Sequence, residues 1–171
     1  LWQEVLDVEN DTATRFQSYC ALARFAPDDS RHLQVASMAV ACMTSDDAAV
    51  PSIHVSRRIE QLRPVATRLV PELEKIVGHA EADRVARDRA ATMLSIYHRD
   101  QPEELVNGLL LCRMRSEFAP LFNVLDSASP KVIAALEDVV AQGYSERPNE
   151  IFKPEHHRLA IAIVTLARWG R

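Results

Sequence analysis

Glu155-His156-His157 brings three metal-ligand side chains together in one run. Consecutive residues of a helix point about 100° apart, however, and no second pair of ligands stands one turn away. The run therefore reads as the solvated start of a helix, and neither a metal nor any other cofactor is expected. His32, His54, His79 and His98 fall singly near predicted helix ends or turns and read as surface residues. Cys20, Cys42 and Cys112 are odd in number, far apart and embedded in apolar text. They read as small buried hydrophobes rather than as disulfides or metal ligands, which points to a reducing compartment. No nucleophile elbow or comparable local signature accompanies any Ser, His and Asp or Cys and His set.

The string His98-Arg99-Asp100-Gln101-Pro102-Glu103 resembles the H-R-D loop of protein kinases, in which the Asp accepts a proton from the substrate hydroxyl. That loop also needs Asn five residues after the Asp to hold a metal ion, and Leu105 stands there. The sequence contains no Gly-rich phosphate loop, strand lysine or D-F-G triplet to complete the machinery. Asp100 is therefore expected to be a turn and cap residue, as Asp28 is at the corresponding place 72 positions earlier.

Arg57, Arg58, Arg63 and Arg68 form the densest basic patch. A solvated, ion-paired face is the ordinary outcome of such a patch, and contact with phosphate or an acidic partner is the functional one. A net charge of −4 and a pI near 5.9 argue against a duplex-gripping protein, because phosphate contacts need clustered Lys and Arg. Arg15 and Arg87, 72 apart, read as helix-start arginines whose stems pack on a neighbour. Residues 143 to 156 form a long polar connection holding Tyr144, Ile151 and Phe152. These apolar groups either fold back onto the body, the reading favoured here, or serve a partner.

The elements that must position these residues are helices. With 47% hydrophobic residues, only 4 Gly and 6% aromatics, the chain favours helix interiors over strands, and its 171 residues suffice for a sizeable core. Asp11 through Thr14 supply N-cap chemistry for a helix reaching Phe25. A second helix is expected from about Ser30 to Met43, with Leu33, Ala36, Val40 and Met43 on its inner face. Ser52 is expected to cap a third, and Pro64 to break it. Pro71 is expected to kink or split the following segment, and Gly78 to end it in a left-handed cap. Asp100 then caps a helix opening with Pro102, Pro120 interrupts residues 116 to 126, and Ser129-Pro130 starts another.

These elements recur. Leu22, Leu94 and Leu166 are spaced by 72, as are Phe25, Tyr97 and Trp169, and the pairs Leu33/Leu105 and Met38/Leu110 share the spacing. The segments LEKIV and LEDVV are 63 apart, and the long connection restores the register. The expectation is one array over residues 1–171, with units at 11–82 and 83–154 and a partial unit at 155–171. The start at Leu1 without a Met, inside helical text, and the short third unit lead us to expect a piece of a longer protein.

Paired helices of about 35 residues with a proline-bearing helix resemble HEAT repeats, two pairs per period. More narrowly, RFQSYCALARFAPDD, QLRPVATRLVPEL and RDRAATMLSIYHRDQPEEL resemble the helical region of large bacterial serine/threonine protein kinase-like proteins. In those proteins the array lies outside the kinase domain, sometimes near a sulfatase-modifying-factor type domain. The resemblance implies an all-α HEAT-like superhelix of about 7 to 10 helices with no catalytic role of its own. It implies a scaffold that binds a protein partner or another domain of its chain. The competing expectation is a HEAT-like nucleic-acid or DNA-repair protein with a basic concave face, and the third a small enzyme on a helical scaffold. No membrane association is expected, since no apolar run approaches the ~20 residues of a spanning helix, and cytoplasm is the expected location.

Overall fold

The computed structural model describes residues 1–45, 55–125, 129–145 and 154–170. Among the described residues every regular element is helical and no strand occurs. In chain order the helices are α1 (Trp2–Leu6), α2 (Thr12–Phe25), α3 (His32–Thr44), α4 (Val55–Leu62), α5 (Ala66–Gly78) and α6 (Arg84–Tyr97). They continue as α7 (Pro102–Leu111), α8 (Arg115–Val124), α9 (Pro130–Ser145) and α10 (Pro154–Arg168), and a 3-10 turn, Arg63–Val65, joins α4 to α5. No helix among the described residues is long and apolar enough to cross a membrane.

Cap chemistry sets the two long helices that open the expected units. Asp11 Oδ1 accepts from the Thr14 amide at 3.0 Å, and Asp83 Oδ2 accepts from the Ala86 amide at 3.0 Å. Each satisfies one of the amides that a helix start leaves without a partner. One turn in, Arg15 Nε donates to the Val5 carbonyl and Arg87 Nη1 to the Ala80 carbonyl, both at 2.9 Å. These arginines do more than pack their stems, because each ties its helix to the segment before it. Leu22, Leu94 and Leu166, 72 apart, are all buried.

Equivalence ends further along. Phe25 is 79% exposed, whereas Tyr97 is half-buried and donates its hydroxyl proton to the Ile59 carbonyl. Leu33, expected inside, is 57% exposed, while Leu105 is 1% exposed. The inner face of α3 is instead His32, Val35, Ala36, Ala39, Val40 and Met43. Ala36, Val40 and Met43 lie inside as expected; the face is centred toward His32, which stands about 100° from Leu33 around the helix, and that leaves Leu33 in solvent.

The prolines divide, Pro64 breaking the chain as expected and the other two not splitting their helices. Pro71 stands inside a continuous α5 and Pro120 inside a continuous α8, each as the sixth helical residue, so neither segment is split there. The break falls at Pro64, within the 3-10 turn. Gly78 remains helical, and the cap residue His79 takes φ −85 and ψ 114. Among the described glycines the left-handed one is Gly170, at φ +72 after α10. Asp100 precedes the N-cap of α7, which is Gln101 without a side-chain cap bond. α9 extends to Ser145, so the first three residues of the expected long connection are helical.

Two buried histidines also overturn the surface reading. His32 is fully buried, its ring edge-on to Trp2 and Tyr19 at 5.1 and 5.4 Å between centroids, with Nε2 2.8 Å from the Ala26 carbonyl. His98 is 5% exposed, with Nδ1 3.2 Å from Gln101 Oε1. A ring with one nitrogen satisfied packs as a flat, mostly apolar body, so polarity alone does not keep it outside. His79 is exposed as read, and His54 lies outside the described residues.

Packing follows chain order. α2 rests on α1, α3 and α4; α3 rests on α5 and α6; and α5 on α6 and α7. α6 rests on α7 and α8, α7 on α8, α9 and α10, and α9 on α10. The shared core runs through Phe16, Tyr19, Met43, Leu69, Leu94 and Leu109, each burial of that kind contributing about 1.5 to 3 kcal/mol. At the last contact a Cβ on Gly143 would stand 2.9 Å from both Leu159 methyls, so a side chain there would make Leu159 shift.

Candidate functional site

The four arginines of the basic patch have separate surroundings. Arg57 and Arg58 are on α4, Arg63 is in the 3-10 turn and Arg68 is on α5. Arg58 Nη1 donates to Gln61 Oε1 at 2.9 Å, and its guanidinium lies 6.0 Å from the centre of the Phe16 ring. Arg63 stands between two carboxylates, Glu60 at 3.6 Å and Asp100 at 3.7 Å. The two carboxylates offset its charge. Arg57 is exposed and Arg68 half-buried.

Asp100 of the kinase-like string is 85% exposed and faces Arg63, while His98 is buried below it with its Nδ1 on Gln101. The string is the turn between α6 and α7. Tyr144 belongs to α9, and Phe152 and Ile151 lie outside the described residues.

Two concavities among the described residues bear on function. The first, of about 570 Å³, lies between α3, α5 and the start of α6, with Thr44, Glu72, Lys75 and His79 in its wall. Its charges are internally satisfied, since Lys75 Nζ meets Glu72 Oε1 at 2.6 Å and Asp83 caps α6.

The second is a groove of about 470 Å³ between the α7–α8 turn and α10. One face of α10 supplies His157, Ala160, Ile161, Val164 and Arg168 at helical spacing. The turn and α8 supply Arg113, Met114, Arg115 and Phe118 over the buried Cys112. Three arginines rim an apolar floor, and among the described residues no carboxylate lines it. Among the described residues none of the three has an acidic partner, and Arg168 instead lies over the Phe118 and Phe122 rings at 5.9 and 5.1 Å.

The turn is held from beneath. Glu117, fully buried, accepts from the Arg113 and Met114 amides at 2.6 and 3.1 Å, closing the start of α8. Its other oxygen stands 3.0 Å from Arg87 Nε, an ion-pair distance without hydrogen-bond alignment. From the α10 side the His157 ring nitrogen meets the Cys112 carbonyl, and Trp169 stacks on Phe122 with centroids 5.7 Å apart. Burial pushes the Cys112 thiol well above its ordinary range, which disfavours its thiolate form.

The chain matches no protein-family model, no curated protein and no solved structure. The groove's own chemistry therefore carries the functional argument. Sequence reasoning missed it because residues 112–118 and 157–168 meet only in three dimensions. The one local signal was the alternation Arg113-Met114-Arg115, cations flanking an exposed apolar side chain.

Among the described residues no group of three His, Cys, Asp or Glu side chains could hold a metal ion. His157 stands apart from any such set, facing a backbone carbonyl.

Proposed function

We propose that this chain is a HEAT-like array of helix pairs that works as a non-catalytic protein-interaction or scaffold module, in the setting of a larger, kinase-linked bacterial protein. The observation that carries the reading is the order of packing. α2 lies against α4, α3 against α5, α5 against α7, α6 against α8 and α7 against α9, so through the middle of the chain helices repeatedly meet the one two places along. Stacked helix pairs bury their apolar faces against neighbours in that manner and leave long surfaces for partners. The matching caps at Asp11 and Asp83 and the buried Leu22, Leu94 and Leu166 support a 72-residue period.

The kinase setting rests on the resemblance of the sequence segments alone. A binding role draws support from the arginine-rimmed groove, and the absence of a catalytic role from Asp100, which is solvated and paired with Arg63. The nucleic-acid alternative draws less support, since Arg63 already sits between two carboxylates and the chain carries a net charge of −4.

The test is affinity capture on the immobilised chain from a lysate of its source cells, with nuclease treatment and a salt series. Specific proteins retained after nuclease are the expected result. Loss of all bound material on nuclease treatment replaces the reading with the nucleic-acid one.

A further inference from the structure

We infer that the groove between the α7–α8 turn and α10 binds an acidic amphipathic helix of a partner protein. The inference rests on the module reading above and names the chemistry of its partner. The floor offers Phe118, Ile161 and Val164 to apolar side chains, and the rim offers Arg113, Arg115 and Arg168 to carboxylates.

Three observations select this occupant. Met114 and Val164, which line the groove, are 45% and 52% exposed. An apolar stripe flanked by polar groups is the complement of a helix lying along it, with side chains spaced by three and four residues entering the floor. Second, the groove is cationic on a chain of net charge −4, and its arginines have no acidic partner among the described residues. Such a rim steers and orients an acidic segment.

Third, the alternatives fit less well. A second copy docking through the same groove on a two-fold axis would set arginine rim against arginine rim. A free anion at the start of α8 would find the Arg113 and Met114 amides taken by Glu117. A carboxylate is thus left to the guanidinium groups, which stand above an apolar surface rather than beside a helix terminus.

The experiment uses the full chain and a fluorescein-labelled peptide with Leu and Phe along one helical face and Glu beside them, read by fluorescence anisotropy. Its twin carries Lys for every Glu, and a scrambled peptide keeps the composition. The expected result is saturable binding of the Glu peptide alone, weakening with added salt. The double reversal Arg113→Glu/Arg115→Glu should weaken that binding by about tenfold and admit the Lys twin, each rim charge carrying up to about tenfold.

Arg115 opens α8, where Glu favours the helix dipole, so unchanged or higher thermal stability separates lost binding from lost fold. Val164→Gln, on an exposed position, should weaken the Glu peptide without changing the salt slope. Equal binding of the Glu, Lys and scrambled peptides, or a Glu peptide indifferent to the double reversal, overturns the inference. So does self-association of the wild-type chain that Val164→Gln abolishes and the double reversal leaves intact, which would put a second copy in the groove. If the Glu peptide does not bind while the lysate capture persists in the double variant, the groove fails and the module reading stands. If both fail, both readings fall.

Discussion

Arg87 Nε lies 3.0 Å from Glu117 Oε1, with the arginine side chain 10% exposed and the glutamate fully buried. The pair joins three pieces of chain. Arg87 Nη1 holds the Ala80 carbonyl before α6, and Glu117 Oε2 holds the two amides that open α8. A buried charge without its partner is costly, whereas the pair as a whole is close to neutral in free energy.

Arg87→Met should therefore destabilise the fold by about 3 to 5 kcal/mol, because it strands the Glu117 carboxylate. Arg87→Met/Glu117→Gln should lose less than the sum of the single changes, since Gln keeps an acceptor for the amides and carries no charge. Urea unfolding of the four proteins checks the cycle, and strict additivity would show that the contact does not couple the two sites.

The cap at Asp83 predicts a smaller effect. Asp83→Ala removes the acceptor of the Ala86 amide and should cost about 1 kcal/mol, while Asp83→Asn should cost a few tenths. Thermal unfolding of both variants checks the ranking.

Acid should expose the carboxylates that the fold holds ionised. The Asp11 pKa is lowered by its hydrogen bond to Thr14, and that of Asp29 by hydrogen bonds from Arg31, whose Nη2 stands 2.6 Å from Oδ2. A depressed folded pKa gives stability that is present above the unfolded value, about 4, and is lost as pH falls below it. Asp11→Asn keeps the cap without the titration. Its melting temperature should fall less than that of the wild type between pH 5 and pH 3.

The thiols should be silent in the folded state. Burial raises the Cys20 pKa to about 11, and burial pushes Cys42 and Cys112 upward as well. At pH 8 the thiolate fraction of Cys20 is then on the order of 0.1%. Labelling by a thiol reagent should accordingly be slow in buffer and rapid for all three cysteines in denaturant.

Phe25 and Leu94 make an opposed pair. Leu94→Ala should cost about 2 to 5 kcal/mol, and Phe25→Ser no more than about 0.5 kcal/mol, because the first is fully buried and the second is 79% exposed. Equal losses would show that Phe25 is covered in solution.

Local chemistry made part of this legible in the sequence. Asp11, whose side chain accepts from an amide three residues later, is a complete cap within one turn and was readable from neighbours alone, whereas a proline by itself does not fix a break, since the chain turns at Pro64 but runs on as helix through Pro71 and Pro120. Composition likewise fixed the all-α class. Gly78 was misread because glycine permits a left-handed turn without requiring one, and a Cβ there would meet Leu111 Cδ2 at an ordinary 3.6 Å. Leu33 and His32 exchanged places because the phase of a helix face is decided by what packs against it, and Trp2 and Tyr19 supply that environment from two other helices. The groove was invisible for the same reason. His157 meets the Cys112 carbonyl 45 positions away, a separation no periodicity encodes.

Phe118, Phe122 and Trp169 form a run of stacked rings beneath the groove, with Arg168 over the two phenylalanines. The other indole, Trp2, lies against His32 with the Arg31 guanidinium 4.6 Å from its ring centre. The molecule thus carries an intrinsic fluorophore in its first helix and another just beyond α10, each set among different neighbours. Replacing either by Phe leaves a single emitter, and its spectrum then reports separately on detachment of α1 or of α10 without any attached dye.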